Sequence, residues 1–528
     1  MEPGSGAKTT TCPCSRRRLR DGLLSDDAMT NEANCIECRS RRIDHTSRIE
    51  RSGIGRKTCR VLMSMAGFVM VLSGCQSSDL ALQVTPPPLP KAYDGAPYRT
   101  STARSNTSAW WEGFHDRTLS SLVSRAESMN LTVAMAHQNL TSARALANSA
   151  MSAYQLDASV SGMANAATGS RIKDDFTRRP VQLNLDASWE IPLFGQDKQA
   201  QKMADLSIAM ATEDVAAAKV AVTAEIASNY VRLRALQKRR FDTAELAGLL
   251  ENNAKIAGVK EQAGLATSIE NEPMRAGLDT AKSTLLLLDN EIASTRQQIA
   301  TLLGTSTPDP ALFKYEPQPV ATAGMAEGKP ADLLRARPDV LRAEYAVGQA
   351  AAQVGIAKAD LYPKLRLNGT IGIGTPVSNS ILGAFAGPSI QLPVFDYGRR
   401  KDVVAAREAE FRQSVLVYKQ AVLVAYEEAS RALHEVNAAR ARTAILRARL
   451  QRVSKLKAST DILVREGLAE KSKSIAGAID LLELRSSLTE SIENEARATI
   501  AFYKATRGVQ PLAAVDDTKR PIKAEGRK

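Results

Sequence analysis

The sequence predicts a mainly α-helical chain that carries four strands of a transmembrane β-barrel, arranged as two tandem helix–strand–strand–helix–helix repeats. Three observations predict this fold class. They are long helical patterns without Gly or Pro, short segments in which apolar and polar residues alternate, and a correspondence between the two halves of the chain. Together they indicate an extended helical body joined to a sheet with one apolar face.

The longest helical pattern covers residues 401–466, which contain neither Gly nor Pro. Its apolar residues recur at intervals of three and four, as in an amphipathic helix. Such a helix would extend roughly 90–100 Å, about three bilayer cores, and its many Arg and Glu residues exclude a membrane span. Further helical patterns cover 196–247, 119–149, 269–303, 331–361 and 475–507.

Strands are predicted where the periodicity changes to two. Residues 181–191 place Leu183, Leu185 and Trp189 on one face and polar residues on the other. The length and alternation are those of a tilted transmembrane strand. Residues 156–166 and 365–373 alternate in the same way, and 389–394 form a shorter segment. For any one segment alone a half-buried sheet of a soluble domain is the preferred interpretation, but four such segments in a secreted chain favour a barrel.

The two halves of the chain correspond at two places. The segment 191–195 (IPLFG) matches 392–396 (LPVFD), and a Gly-Leu-Ala triplet occurs after each long helical pattern. We interpret the chain as a tandem duplication. Gly264 and Gly467, which begin the two triplets, are predicted to mark the turns at which a long helix reverses direction.

The N-terminal 75 residues contain a targeting signal. Basic residues from Arg56 precede a mainly apolar run over 61–72, which is too short to cross a bilayer as a helix. The following Leu-Ser-Gly-Cys resembles the bacterial lipobox, which implies cleavage between Gly74 and Cys75 and lipid attachment to Cys75. Gln76 fits sorting to the outer membrane in lipoproteins of this kind. A buried helix that ends at a chance cysteine is the alternative.

These features divide the chain into seven predicted segments. They are a polar extension (1–55) outside the mature protein, a lipoprotein signal peptide (56–74), a lipid anchor with a Pro-rich tether (75–105), a first repeat (106–310), a linker (311–329), a second repeat (330–508) and a charged tail (509–528).

The composition supplies little for enzyme chemistry. All six cysteines lie in the first 75 residues, and the four histidines are far apart, so we expect no catalytic residues, no metal site and no cofactor in the body. Cys12, Cys14, Cys35 and Cys38 could form a zinc knuckle, but the first pair has the wrong gap. Although the net charge is +13, no basic patch is interleaved with aromatic residues, so a nucleic-acid partner is not expected.

Three motifs resemble the TolC-like outer-membrane efflux proteins, in particular the NodT type. They are the segments 110–116 (WWEGFHD), 337–340 (RPDV) and 387–400 (GPSIQLPVFDYGRR). The resemblance implies a homotrimer in the cell outer membrane, with a β-barrel continuous with a long periplasmic α-helical barrel. It also implies docking with a periplasmic adaptor (membrane fusion) protein and an inner-membrane RND-type pump.

The resemblance also implies a gate at the periplasmic tip, made of charged rings and ion pairs. Asp480, Glu483 and Arg485 occupy the matching positions. The chain departs from the family at Pro192, where relatives usually carry an acidic residue, and at Pro273, which should break or start a helix. Arg337, Pro338 and Asp339 can start a helix, with Pro early and Asp near the helix N-terminus, so we assign them a structural role.

We therefore expect a passive exit duct for small toxic compounds, without catalytic residues of its own. A trimer also follows from the strands, because four cannot close a barrel, eight leave an interior about filled by side chains, and twelve leave a lumen. The same duct could serve type I protein secretion. A periplasmic coiled-coil scaffold, with the strands as soluble sheet, is the alternative of a different class.

Overall fold

The computed structural model describes residues 85–90, 107–164, 181–265, 267–320, 334–374 and 382–506. The predicted cleavage site at Gly74, the predicted lipidation site Cys75, the possible zinc cysteines and the predicted charged tail lie outside the described residues. Among the described residues, no helix combines the length and hydropathy needed to cross a membrane.

Seven α-helices and four strands make up the described body. The helices are α1 (Arg117–Met129), α2 (Leu131–Ser152), α3 (Gln196–Gln262), α4 (Ser268–Leu302), α5 (Pro338–Ala359), α6 (Arg399–Arg465) and α7 (Lys471–Thr506). The strands are β1 (Asp157–Ala164), β2 (Val181–Ile191), β3 (Lys364–Gly374) and β4 (Leu382–Gln391), and short 3-10 helices cover Thr107–Phe114 and Pro310–Leu312.

The two longest helices are matched in length and in both ends. α3 and α6 each have 67 residues. Each follows a glycine in the left-handed conformation, Gly195 (φ 73°) or Gly398 (φ 85°), and each is terminated by another at φ 71°, Gly264 or Gly467. After each terminal glycine, the next backbone N–H donates 2.8 Å to a carbonyl five residues back, in the six-residue closure that glycine permits. The equal lengths of α3 and α6 agree with the tandem duplication.

Some predicted helix bounds were wrong. α3 continues past residue 247 through Gly248 and Gly258, because packing against α4 offsets the roughly 1 kcal/mol that an interior glycine costs. The pattern over 119–149 is two helices separated at Asn130, whose side chain caps α2. The pattern over 331–361 begins as a helix proper only at Pro338, as the Arg-Pro-Asp motif predicts. Pro273 neither breaks nor starts a helix but lies in α4, close to its beginning.

The sheet is a simple antiparallel meander in the order β1-β2-β3-β4. Three strands occur where the alternation predicts them, but the fourth does not. β4 covers Leu382–Gln391 and not 389–394, so Pro393 lies outside it while Pro388 lies within. The misplacement arose because Ala and Gly give residues 383–387 little polarity contrast. Pro388 lies opposite Leu367 of β3, on the apolar face of the sheet.

The helices form one layered wall. In the half next to the sheet the order of contacting helices is α2, α3, α5 and α6, and in the other half it is α4, α3, α7 and α6. α3 and α6 thus run through both halves, whereas α2 gives way to α4 and α5 gives way to α7. The buried apolar core follows these contacts, with one cluster around α1, α3 and α4 and a second around α5, α6 and α7.

Candidate functional site: an apolar sheet face, a jointed helical wall and a charged tip

The strand register places the apolar side chains of all four strands on one face. Leu185 pairs with Val160 on β1 and with Ile371 on β3, and Leu367 pairs with Trp189 and Pro388. The large apolar side chains of this face are exposed in the single chain, from 38% for Trp189 and Leu367 to 71% for Ile390. An apolar patch of this extent is unfavourable in water but suits contact with lipid.

The opposite face of the sheet is polar and largely satisfied. Asp186 accepts hydrogen bonds from Ser161 Oγ (2.9 Å) and Thr370 Oγ1 (2.8 Å). Nearer the helices, Arg366 pairs with Glu190 at 2.7 Å. Polar groups that bond to one another across strands can face water without strain, as the inside of a water-filled barrel requires.

Aromatic residues collect where the strands meet the helices. Phe194 stacks on Tyr362 with ring centroids 4.6 Å apart, and Phe395 contacts Tyr397 edge-on at 4.7 Å. The Trp189 indole donates to the carbonyl oxygen of Tyr154 at 3.0 Å. Rings with an apolar body and a polar handle are favoured at membrane–water interfaces. This group of aromatic residues therefore marks one edge of the membrane-facing part of the sheet.

In the wall, two short helices meet end to end at each of two joints. Asn130 caps α2 through its side-chain oxygen and donates from Nδ2 to the carbonyl of Leu302, the last residue of α4, at 2.7 Å. Arg337 stands before α5 and donates from Nη1 to the carbonyl of Ala505 in the last turn of α7, at 2.8 Å. Both residues therefore occupy the same place in their repeat and make the same kind of bond, which satisfies a helix-terminal carbonyl.

Charge strengthens the second joint. Arg337, which is buried, also pairs with Asp339 (2.7 Å) and Glu428 (2.8 Å). Desolvation opposes ionisation of Asp339, but hydrogen bonds from Arg337 and its positive charge outweigh it and lower the pKa of Asp339. The Arg-Pro-Asp motif thus ties α5, α6 and α7 together, in agreement with its predicted structural role.

A third polar network holds the linker to one face of the wall. The fully buried Arg234 of α3 pairs with Glu316 at 2.7 Å and donates to the carbonyl of Lys314. Tyr230, one turn earlier, donates to Asp116 at 2.8 Å, and burial raises its pKa strongly. These contacts fix the start of α1 and the linker on one side of α3.

The other side of α3 borders an open groove of about 700 Å³ between α3, α6 and α7. Alanines form much of its surface, and its charged lining residues are Glu225, Glu435, Arg497 and Lys504. The groove lies on the helix face opposite the linker network. The groove therefore combines a mainly alanine surface with four charged side chains.

The predicted gate residues lie near the beginning of α7, beyond the Gly467 turn. Asp480 and Glu483 are exposed, and neither makes an ion pair with Arg485 among the described residues. Arg485 instead approaches Glu245 of α3 at 3.6 Å. Sequence reasoning missed Glu245 because it lies 240 positions away in the chain and belongs to an unremarkable helical pattern.

Glu483 also borders a cavity of about 490 Å³ between α3, α4 and α7. On the α3 side the cavity meets Asp242, whose side chain is 1% exposed. Oδ1 of Asp242 accepts from Lys238 at 2.6 Å, and its Oδ2 has no partner in the described part of the chain. This buried carboxylate was not predicted. The available signal in the sequence was an acidic residue on the face of α3 that packs against α4 and α7.

No group of three or more His, Cys, Asp or Glu side chains within the described ranges is arranged to hold a metal ion. The described residues present three extended surfaces: an apolar sheet face, a polar sheet face and an open groove along the helices.

Comparison with known proteins agrees with these surfaces. The sequence profile described as "Outer membrane efflux protein" matches residues 122–305 and 330–506. Nodulation protein T of Rhizobium leguminosarum bv. viciae is 29% identical over 386 residues, which cover 71% of this chain and 78% of the relative. The cation efflux system protein CusC of Escherichia coli is 26% identical over 378 residues, covering 69% of this chain and 80% of CusC.

A similar fold occurs among solved structures. The outer-membrane channel OprN superposes with a TM-score of 0.67 at 25% identity, covering 78% of this chain and 98% of OprN. The solved neighbours are trimeric channels in which a β-barrel continues into an α-helical barrel. The present chain has the protomer fold of such a channel, as the sequence predicts.

Proposed function

This chain belongs to the outer membrane efflux protein family, and we propose that it forms the outer-membrane exit duct of a tripartite efflux pump for small toxic compounds. The duct is passive. An inner-membrane RND-type pump supplies the energy, and a periplasmic adaptor joins the pump to the helical tip. The proposal rests on one observation above the others: a single chain presents four membrane-compatible strands whose apolar face is exposed and whose two edges, β1 and β4, are open.

The open edges are the reason for proposing a homotrimer. In hydrocarbon an unpaired strand edge leaves N–H and C=O groups without partners, so the four strands of one chain must be completed by other copies. Two copies would enclose an interior about filled by side chains, whereas three leave a water-filled lumen. The polar sheet face would line this lumen, and the groove bordered by Glu225, Glu435 and Arg497 would continue it along the helices.

Lipid attachment at Cys75 would add a second hold on the outer membrane. The lipobox-like Leu-Ser-Gly-Cys supports cleavage after Gly74, and the Pro-rich segment that follows would serve as the tether. The barrel supplies the primary anchor in this proposal, so the lipid is expected to aid targeting more than retention.

The tip would form the gate. Asp480 and Glu483 are exposed near the turn at Gly467, and three copies around one axis would bring six carboxylates close together. The Arg485–Glu245 pair links α7 to α3 just above them. Exposed pairs contribute only about 0–1 kcal/mol each, so we expect the closed state to depend on the sum of several such contacts.

The decisive experiment restores efflux in cells. The chain is produced together with a periplasmic adaptor and an RND-type pump, in a host that lacks its own outer-membrane ducts, and dye accumulation is followed. We expect accumulation to fall only when all three proteins are present. Unchanged accumulation with restored export of a polypeptide would assign the duct to protein secretion, and a protein extracted without the outer membrane would favour the scaffold.

A further inference from the structure

The cavity of about 490 Å³ between α3, α4 and α7 has a lining of one charge sign. Asp242 of α3 and Glu483 of α7 both border it, and its described lining contains no Lys or Arg. Two carboxylates without a basic neighbour in the lining attract cations and repel anions. The cavity therefore favours a positively charged guest.

The carboxylate of Asp242 has an unused hydrogen-bond acceptor. Its side chain is 1% exposed, and its Oδ1 accepts from Nζ of Lys238 at 2.6 Å. Its Oδ2 has no partner within the described ranges. A buried carboxylate oxygen without a donor is unfavourable, because it has lost its water and gained no bond in exchange. An N–H group of a cation in the cavity would supply the missing bond.

Two threonine hydroxyls of α4 add acceptors to the lining. Thr280 Oγ1 donates to the carbonyl of Ala276 at 2.9 Å, and Thr284 Oγ1 donates to the carbonyl of Thr280 at 2.8 Å. Both threonines border the cavity. Because each hydroxyl hydrogen is already bonded to the helix, only the lone pairs of the oxygen remain for a guest. The polar part of the lining thus suits a ligand that donates hydrogen bonds.

The rest of the lining is mainly apolar and suits an organic molecule. Leu246 and Leu250 of α3, Ala281 of α4, and Ile479 and Leu482 of α7 contribute to it. An apolar lining with a few polar groups, in a volume of this order, is typical of small-molecule sites. A bare divalent metal ion would instead require about six oxygen ligands around one point. The guest is therefore better described as an organic cation than as a metal ion.

The repeat architecture does not require an acid at position 242. α3 and α6 have equal lengths, and the position of α6 at the same distance from its first residue is Ile445. The second repeat thus forms its long helix without a carboxylate there. A buried polar atom that lacks a partner and is not needed by the fold calls for another explanation, such as a ligand.

We propose that this cavity binds an amphipathic organic ammonium ion, an amine that carries an aromatic or aliphatic body. Its N–H groups donate to Oδ2 of Asp242 and to the threonine oxygens, Glu483 adds negative charge at the exposed side, and the body lies against the leucines. The inference rests on the proposed duct for its biological role, in which it names one class of cargo. Binding to the cavity can be measured without transport.

The probe is dansylcadaverine, which joins a primary ammonium group to a fluorescent aromatic body. N-acetyl-dansylcadaverine is the matched ligand control, because it has the same body without the charge. Each is titrated onto the purified full chain in an uncharged detergent, with protein-free micelles as the background. Dansyl fluorescence reports transfer of the probe to an apolar site, and competition with unlabelled cadaverine shows whether the ammonium group is recognised.

Three variants separate the charge from the space. Asp242→Asn removes the charge with little change in shape. Gly277→Leu keeps both carboxylates but reduces the space, since Gly277 borders the cavity and a Cβ there would lie 3.7 Å from the Leu250 side chain. Asp279→Asn is the matched control, because Asp279 is an exposed acid of α4 outside the cavity lining.

We expect Asp242→Asn and Gly277→Leu each to weaken binding of the ammonium probe at least about tenfold, and Asp279→Asn to change it less than about twofold. Equal binding of the acetylated probe would overturn the proposal, as would native affinity in Gly277→Leu. The melting temperature of each variant is measured as well. If Asp242→Asn does not fold, Gly277→Leu and the acetylated probe still decide the outcome. Dye efflux without ammonium binding would remove the site and leave the duct, whereas binding without efflux would keep the site and contradict the duct.

Discussion

Asn130 and Arg337 occupy equivalent positions in the two repeats, and each donates a side-chain hydrogen bond to a carbonyl at the end of another helix. Asn130 reaches Leu302 at 2.7 Å and Arg337 reaches Ala505 at 2.8 Å. The residue types differ but the position and the bond are the same. The two repeats therefore share the joint between helices although the residues that form it differ. Substitutions at Asn130 and Arg337 test both joints.

Arg337→Met should lower the free energy of unfolding by about 2–3 kcal/mol, because it leaves a helix-end carbonyl and two carboxylates without their shared donor. Thermal or denaturant unfolding of the detergent-extracted protein measures the loss. Arg342→Met is the matched control, since Arg342 pairs with Asp214 at 2.7 Å but is half exposed. Its loss should stay below about 1 kcal/mol. If both variants lose the same free energy of unfolding, Arg337 does not stabilise the joint more than an exposed ion pair would.

Asn130 can be dissected with two substitutions. Asn130→Asp keeps the oxygen that accepts from Thr132 and Val133 but removes the donor to Leu302, whereas Asn130→Ala removes both functions. We expect losses of about 1 kcal/mol for Asp and about 2 kcal/mol for Ala in the free energy of unfolding. If the Asn130→Asp variant is as stable as the native protein, the hydrogen bond from Asn130 to Leu302 contributes nothing to the free energy of unfolding.

Glu493→Gln should stabilise the protein at neutral pH. Burial raises the pKa of Glu493, while Arg497, Arg232 and Arg239 lower it and Glu490 raises it further. A carboxyl group whose pKa is raised by folding destabilises the folded state when ionised. The advantage of Gln should therefore be largest above the raised pKa and should vanish as the pH falls below the usual value of 4.5.

The melting temperature across this pH range provides the measurement. We expect a rise of about 1–2 °C at neutral pH, and none at the acid end. Glu427→Gln on the exposed surface of α6, outside the group of charges named above, is the control and should leave the melting temperature unchanged. A lower melting temperature for Glu493→Gln at neutral pH would mean that the three arginines need its charge.

Neutralising the tip should open the duct. The double variant Asp480→Asn, Glu483→Gln removes the exposed carboxylates near the Gly467 turn, and we expect a higher single-channel conductance in planar bilayers. The control Glu490→Gln lies on the same helix but further from the turn. Arg485→Gln, which breaks the pair with Glu245, should act in the same direction at low salt and lose its effect as salt screens the pair. Native conductance in both variants would exclude these residues from the gate.

Cys75→Ala should abolish lipid attachment, because the lipobox-like site requires the thiol. Mass spectrometry of the mature N-terminus distinguishes a lipidated Cys75 from an unprocessed chain. The barrel should still insert, since the sheet and not the lipid supplies the larger apolar surface. Native protein that retains residues 1–74 without lipid would contradict the assignment.

Sequence periodicity predicted most of the fold because helices and strands leave local signals. The alternation around Trp189 located β2, and the absence of Gly and Pro located α6 to within two residues. Contacts between distant parts of the chain left no such signal. Arg337 was recognised as a helix start, but its partner Ala505 lies 168 positions away.

The candidate tip was predicted less well for the same reason. A charged cluster near position 480 is visible in the sequence, whereas the partner of Arg485 depends on which face of α3 packs against α7. Glu245 and the buried Asp242 are both ordinary acidic residues in a long helix, and only tertiary packing distinguishes the half-exposed side chain from the buried one.

Continuous helices alternate with interrupted ones in the wall, so some parts of the wall bend more easily than others. α3 and α6 are hydrogen-bonded along their whole length and resist local bending, whereas the wall between them changes from α5 to α7 at a junction where side chains such as Arg337 replace helical hydrogen bonds. Torsion applied to the far end should therefore concentrate at the breaks beside Leu302 and Ala505. α4 and α7 would rotate there as short rigid bodies. α3 and α6 would bend slightly over many turns and return the wall to its resting shape.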